Sequence, residues 1–167
     1  MAAIAVGVEA GIGLEECAAA AGRLNAPDKR GEVLHVGGAT VINDCYNSNP
    51  EALRSMIAAL AAMPGKRRIL VAGEMLELGH EAARLHRECG QAAAEQGIDL
   101  IIGVRGYAQQ IVEGARQAGG LAMFVASPLE AGVWLKSELR PGDAVLLKAS
   151  RGVGLEQVLQ SLGDEVF

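Results

Sequence analysis

Three short stretches concentrate the polar residues that could do chemistry. The first is Asn43-Asp44-Cys45-Tyr46-Asn47-Ser48-Asn49-Pro50. An ionised Asp44 only accepts hydrogen bonds, and it has room for both hydroxyls of a ribose. Tyr46 offers an aromatic face to a base. Asn47 and Asn49 offer the paired donor and acceptor edges that suit an adenine. Ser48 or Asn49 has a competing use, capping a helix that starts near Pro50. The second stretch is Gly73-Glu74-Met75-Leu76-Glu77-Leu78-Gly79. A glycine at each end allows a tight turn and close approach of a ligand. It is not GxGxxG, so it carries no dinucleotide fingerprint. The third is Lys148-Ala149-Ser150-Arg151-Gly152. Basic side chains beside the amides of a helix start make an anion site, suited to a carboxylate or a phosphate.

The remaining reactive residue types are less informative. His35, His80 and His86 lack metal-ligand spacing and read as surface or packing residues. Cys17, Cys45 and Cys89 form no CxxC pair and no zinc pattern, and they read as free thiols of a reducing, cytoplasmic setting. The sequence has no GxSxG, no HExxH and no GxxxxGK[ST]. A net charge of -5 argues against a broad nucleic-acid footprint. No stretch is long and apolar enough to suggest membrane insertion, and Glu9, Glu15 and Glu16 break the apolar start.

The elements that must position these stretches can be read from pattern. Residues 2–24 read as one or two helices broken near Gly11-Ile12-Gly13, the tail of something larger. Residues 25–30, with Pro27-Asp28, read as a linker. Strands at 32–36 and 39–43 flank Gly37-Gly38, a hairpin signal. Helices are expected at 51–63, 80–96, 106–118, 128–139 and 154–162. They alternate with strands at 67–72, 98–102, 121–125 and 143–147. Strands such as Ile69-Leu70-Val71-Ala72 are continuously apolar, which implies burial on both faces. The fold class is therefore α/β: a three-layer Rossmann-like sandwich with a mostly parallel sheet and an N-terminal hairpin, preceded by a short helical segment. Ligands of such sheets bind at the carboxyl ends of strands. The three polar stretches all follow expected strands, whereas the loops at 103–106 and 126–128 are plainer.

The three stretches together resemble the Mur ligase family, in its D-alanyl-D-alanine-adding MurF branch. Val41 to Pro50 resembles that branch's D-[DS]-x-Y-N-[AS]-N-P segment. Gly73 to Gly79 resembles G-[DE]-M-x-E-L-G, with His86 and Gly90 following. Lys148 to Arg151 resembles K-G-S-R. Order and spacing agree over roughly residues 25–162. The resemblance implies three divisions: a helical tail of the central domain at 1–24, a linker at 25–30 and the C-terminal domain at 31–167. It implies an ATP-dependent ligase that adds D-alanyl-D-alanine to UDP-N-acetylmuramoyl-tripeptide through an acyl phosphate, in peptidoglycan precursor synthesis.

The P-loop and the Mg2+ sites would lie in upstream domains, so the chain alone would be an inactive monomeric fragment. By resemblance, Arg30 reaches the ATP phosphates, Asp44 holds the ribose, and Tyr46, Asn47 and Asn49 lie along the nucleoside. Ser150 and Arg151 take the D-alanyl-D-alanine carboxylate. Lys29-Arg30-Gly31 stands where the family reads G-R-[LF], Cys45 where it often has Ser, and Ala149 where it has Gly. The competing reading is a free-standing, non-enzymatic nucleotide- or anion-binding α/β module. A phospho-receiver would be one such module, but Asn43-Asp44 supplies only one of the acids it needs.

Overall fold

A computed structural model of the chain describes residues 2–23 and 29–163. Helix α1 (Ala2–Glu9) and helix α2 (Leu14–Gly22) pack on each other across a turn in which Gly11 has φ +87°. The break near 11–13 is therefore real. Residues 25–28 of the expected linker, with residue 24 at the end of the expected helical tail, lie outside the described residues.

Strands β1 (Glu32–Val36) and β2 (Ala39–Asp44) form an antiparallel hairpin. Its two central residues, Gly37 and Gly38, have φ of 55° and 79°, the backbone a two-residue turn between twisted strands requires. Five further helices and four strands then alternate: α3 (Pro50–Ala62), β3 (Arg67–Gly73), α4 (Ala82–Glu95), β4 (Leu100–Val104), α5 (Ala108–Gln117), β5 (Ala122–Val125), α6 (Pro128–Glu138), β6 (Asp143–Lys148) and α7 (Gln157–Leu162). The six-stranded sheet has the order β1-β2-β6-β3-β4-β5, and every pair but β1–β2 is parallel.

Alternate residues of each inner strand feed opposite layers. Ile69, Val71, Val145 and Leu147 pack with Leu135 of α6 and Val158 of α7. Leu70, Ala72, Ala144 and Leu146 pack with Leu53 of α3, Cys89 of α4 and Ile111 of α5. Both faces are dry, which is why these strands are apolar without alternation.

Several boundaries differ from the sequence reading, two elements most. Strand β4 starts at Leu100 rather than 98, and it includes Gly103 and Val104, which were expected in a loop. Gly97 ends α4 in the left-handed region at φ 74°. Its N–H donates to Ala94 O at 3.0 Å and that of Ile98 to Ala93 O at 3.2 Å. Ile98 is thus spent closing the helix in a Schellman motif, and the strand begins later. The last helix does not start at 154 either. Arg151–Val153 form a single 3₁₀ turn, Gly154 follows at φ 69°, and α7 begins only at Gln157.

Candidate functional site

The sheet order makes β2, β6 and β3 neighbours, so their carboxyl ends set the three polar stretches side by side. Asp44 and Lys148 are register partners, and Lys148 also pairs with Ala72. Lys148 is buried at 3% exposure, and its Nζ donates to Asp44 Oδ2 at 2.5 Å and to Asn47 O at 3.0 Å. Its ammonium is committed inward and does not serve the open anion site that residue type alone suggested. Asp44 keeps its second oxygen, on a side chain 18% exposed.

Ser150 bolts the stretches together. Its Oγ accepts the Leu76 N–H at 3.0 Å and donates to Ser48 O at 3.4 Å, and its own N–H donates to Glu74 O at 3.2 Å. Arg151 stays exposed at the rim. Because a 3₁₀ turn and Gly154 separate Arg151 from α7, which starts only at Gln157, there is little helix dipole to add to its charge. Ala149, where the family has glycine, adopts no positive φ. Its methyl occupies the space left by the missing Cβ of Gly73.

Tyr46 is exposed, but a guanidinium covers its ring. Arg30 Cζ lies 3.9 Å from the ring centroid and Arg151 Cζ lies 5.5 Å from it. Cation–π attraction holds both charges beside one aromatic surface. The Tyr46 N–H donates to Lys29 O at 3.1 Å, and Lys29 Nζ pairs with Glu156 at 2.7 Å, which ties the start of the domain to the segment before α7. A base approaching Tyr46 meets Arg30 first.

The two asparagines have local duties. Asn49 Oδ1 accepts the Ala52 N–H at 2.8 Å and caps α3, with Pro50 at the first helical position. Asn47 Oδ1 accepts the Ser48 N–H at 2.9 Å. Each keeps its amide NH2 as a donor. The Oγ of Ser48 is buried without a partner among the described residues. Asn47, Leu76, Glu77, Ser150, Arg151 and Gly152 line a small hollow of about 140 Å³. Glu77 holds φ 66° at its edge, a conformation that costs a non-glycine residue on the order of 1 kcal/mol.

Cys45 is no nucleophile. Burial pushes its thiol up to about 12, with the charges of Glu156 and Asp44 adding to the effect, and the thiol faces Leu147 O at 3.5 Å. The residue reading missed the pairing of Lys148, and for His86 it left surface and packing open. A lysine that closes the apolar run Ala144-Val145-Leu146-Leu147 was the available signal for the first. For His86, whose ring nitrogens are both engaged, the sequence held none.

An open, mostly parallel sheet with its polar groups gathered at three adjacent strand ends defines a Rossmann-like domain, a fold whose ligands bind at the carboxyl ends of strands. The Mur ligase, glutamate ligase domain matches residues 29–151. The chain belongs to the Mur ligase family. It is 35% identical to the UDP-N-acetylmuramoyl-tripeptide–D-alanyl-D-alanine ligase of Mycobacterium leprae (strain TN), over 92% of this chain and 34% of that protein. The ligase of the same name from Bacillus subtilis (strain 168) is 32% identical over 97% of this chain and 36% of its own length. Among solved structures, the MurF ligase from Thermotoga maritima in complex with ADP superposes with a TM-score of 0.78 at 27% identity, covering 97% of this chain and 36% of that one. MurF from Acinetobacter baumannii shares the fold, with a TM-score of 0.82 at 24% identity over 93% of this chain and 35% of that one. The chain therefore spans about a third of the length of these relatives. Among the described residues, no helix is long and apolar enough to cross a membrane.

Proposed function

We propose that this chain is the closing domain of a longer ATP-dependent ligase that joins D-alanyl-D-alanine to UDP-N-acetylmuramoyl-tripeptide in peptidoglycan precursor synthesis. The observation that carries this reading is the convergence of Asp44, Arg30 and Arg151 at the ends of β2 and β6, around Tyr46. It is supported by relatives whose names state that reaction and by a neighbour that holds ADP.

In this reading the free oxygen of Asp44 takes the ribose, and Asn47 and Asn49 offer their NH2 groups along the nucleoside. Tyr46 keeps Arg30 in reach of the ATP phosphates. Arg151 meets the dipeptide carboxylate, while Ser150 fixes the loop that presents it. ATP would supply the phosphoryl group that activates the tripeptide carboxylate. Among the described residues no group of three His, Cys, Asp or Glu is placed to hold a metal; in this family reading Mg2+ would be held mainly by the central domain of the full ligase. The sequence carries no GxxxxGK[ST]. In this reading the chain by itself is a cytoplasmic monomer that binds weakly and does not turn over, because the site is completed only on closure.

The test is an amide-shift titration of the chain with ATP and, separately, with D-alanyl-D-alanine, both at millimolar concentration. ATP should move the amides of 44–49, and Asp44→Asn should weaken that response about tenfold, the loss of one to two hydrogen bonds. Arg151→Ala should abolish the dipeptide response. Wild-type amides that ignore both ligands would sink the assignment.

A further inference from the structure

His86 is a buried titratable group that the proposed chemistry does not use. It lies in the middle of α4 and is fully buried. Its Nδ1 is 2.6 Å from Ala82 O. A carbonyl only accepts, so Nδ1 must carry the proton. Its Nε2 is 2.8 Å from the Met75 nitrogen, whose N–H donates to it, so Nε2 must be bare. Geometry alone thus fixes the ring as the neutral Nδ1–H tautomer. Met75 belongs to the stretch after β3 and is itself buried. The next residue, Leu76, donates its N–H to Ser150 Oγ at 3.0 Å. A continuous path therefore runs from the His86 ring to Met75, to Leu76 and to Ser150, one residue before Arg151.

We propose that His86 is the positioning residue of the ligand end: as a neutral acceptor it pins the loop after β3, and through Leu76 and Ser150 that loop sets the place of Arg151. This rests on the reading of Arg151 as a ligand residue. A proton on Nε2 would set two donors against each other and release the loop. Two titratable residues on the packed elements face the ring. Tyr107, just ahead of α5, has its ring centroid 5.9 Å away. Glu74, on the loop itself, favours protonation by its charge, as does the Ala82 carbonyl, but burial outweighs both and lowers the pKa of His86. With the folded value depressed, the latch is intact above the ordinary histidine value of about 6.5. It is lost as pH falls from there through the folded pKa.

The test uses the ligand-free 167-residue chain and nitrogen NMR. At neutral pH the His86 ring should show a protonated Nδ1 and a bare Nε2. On acidification the Met75, Leu76 and Ser150 amides should shift together, with one midpoint below about 6.5. His86→Gln, which keeps an acceptor near the place of Nε2 and cannot titrate, should leave those amides near their wild-type positions and abolish the midpoint. His86→Leu should displace all three at every pH. A merely space-filling histidine would give no shared midpoint and no rescue by glutamine. A protonated Nε2 at neutral pH, or a Ser150 amide that stays still while His86 titrates, overturns the proposal. The same samples titrated with D-alanyl-D-alanine separate the two ideas. Loop coupling without a dipeptide response overturns the ligand assignment and leaves the latch standing.

Discussion

Asp44 has two duties, and they complicate the most obvious mutation. It offers an oxygen to solvent, and it partners Lys148, whose ammonium is buried. Removing one member of a buried pair costs about 3–5 kcal/mol, mostly from the charge left behind. Because Asp44 meets some water, the lower end applies. Asp44→Ala should therefore lose about 3 kcal/mol in urea denaturation, and a loss of ligand binding in that variant would be ambiguous. Asp44→Asn keeps an acceptor and should lose less. Asp44→Ala combined with Lys148→Met should regain most of the stability but none of the binding. If Asp44→Ala proved as stable as Asp44→Asn, the pair would not be structural. At this scale the sequence was partly legible. The place of Asp44 at the end of a strand, that of Arg151 just beyond β6 and the capping of α3 by Asn49 follow from residue type and neighbours. The covering of Tyr46 by Arg30 and the use of the Ser150 hydroxyl as a bolt do not, because both depend on contacts between stretches far apart in the chain.

At the scale of elements, alternation of helix and strand was legible because buried strands must be continuously apolar. What the pattern could not show is how closely elements approach. A Cβ added to Gly90 in α4 would strike the Ile111 carbonyl of α5, and one added to Gly114 in α5 would strike the Arg87 carbonyl of α4. The two helices touch backbone to backbone through reciprocal glycines. A mid-helix glycine read from sequence is simply a cost of about 1 kcal/mol against alanine. Here the contact reverses that sign. Gly90→Ala should be net destabilising by about 1–3 kcal/mol through overpacking, despite the better helix propensity. Thermal unfolding decides it: a raised melting temperature would mean that the helices part without penalty. His86 sits one turn before Gly90 on the same helix, so a displaced α4 should also disturb the Met75 amide.

Over the whole molecule, the decisive fact is that the last strand in sequence, β6, lies between β2 and β3. No local pattern encodes that insertion, yet it alone brings the three polar stretches together. It also gives β6 an ion pair at each end. Lys148 meets Asp44 at the proposed ligand end. At the opposite end Arg67 grips Asp143 with two bonds of 3.1 and 2.6 Å, and it donates to Glu138 O at 2.7 Å. Asp143 is nearly fully buried and also accepts the Arg140 N–H. The six residues of β6 separate the two pairs by about 16 Å at the usual rise per strand residue, beyond the roughly 7–10 Å within which sites that share no partner couple. The ends should therefore act independently. Arg67→Met strands a buried carboxylate and should cost about 3 kcal/mol of stability. Ligand affinity at the far end should stay within about twofold, which at about 1.4 kcal/mol per tenfold leaves almost none of that loss at the site. Lys148→Met should instead lower both stability and affinity. If Arg67→Met weakened the ATP response in step with stability, the sheet would be transmitting strain along β6, and the two ends of the strand could not be treated as independent.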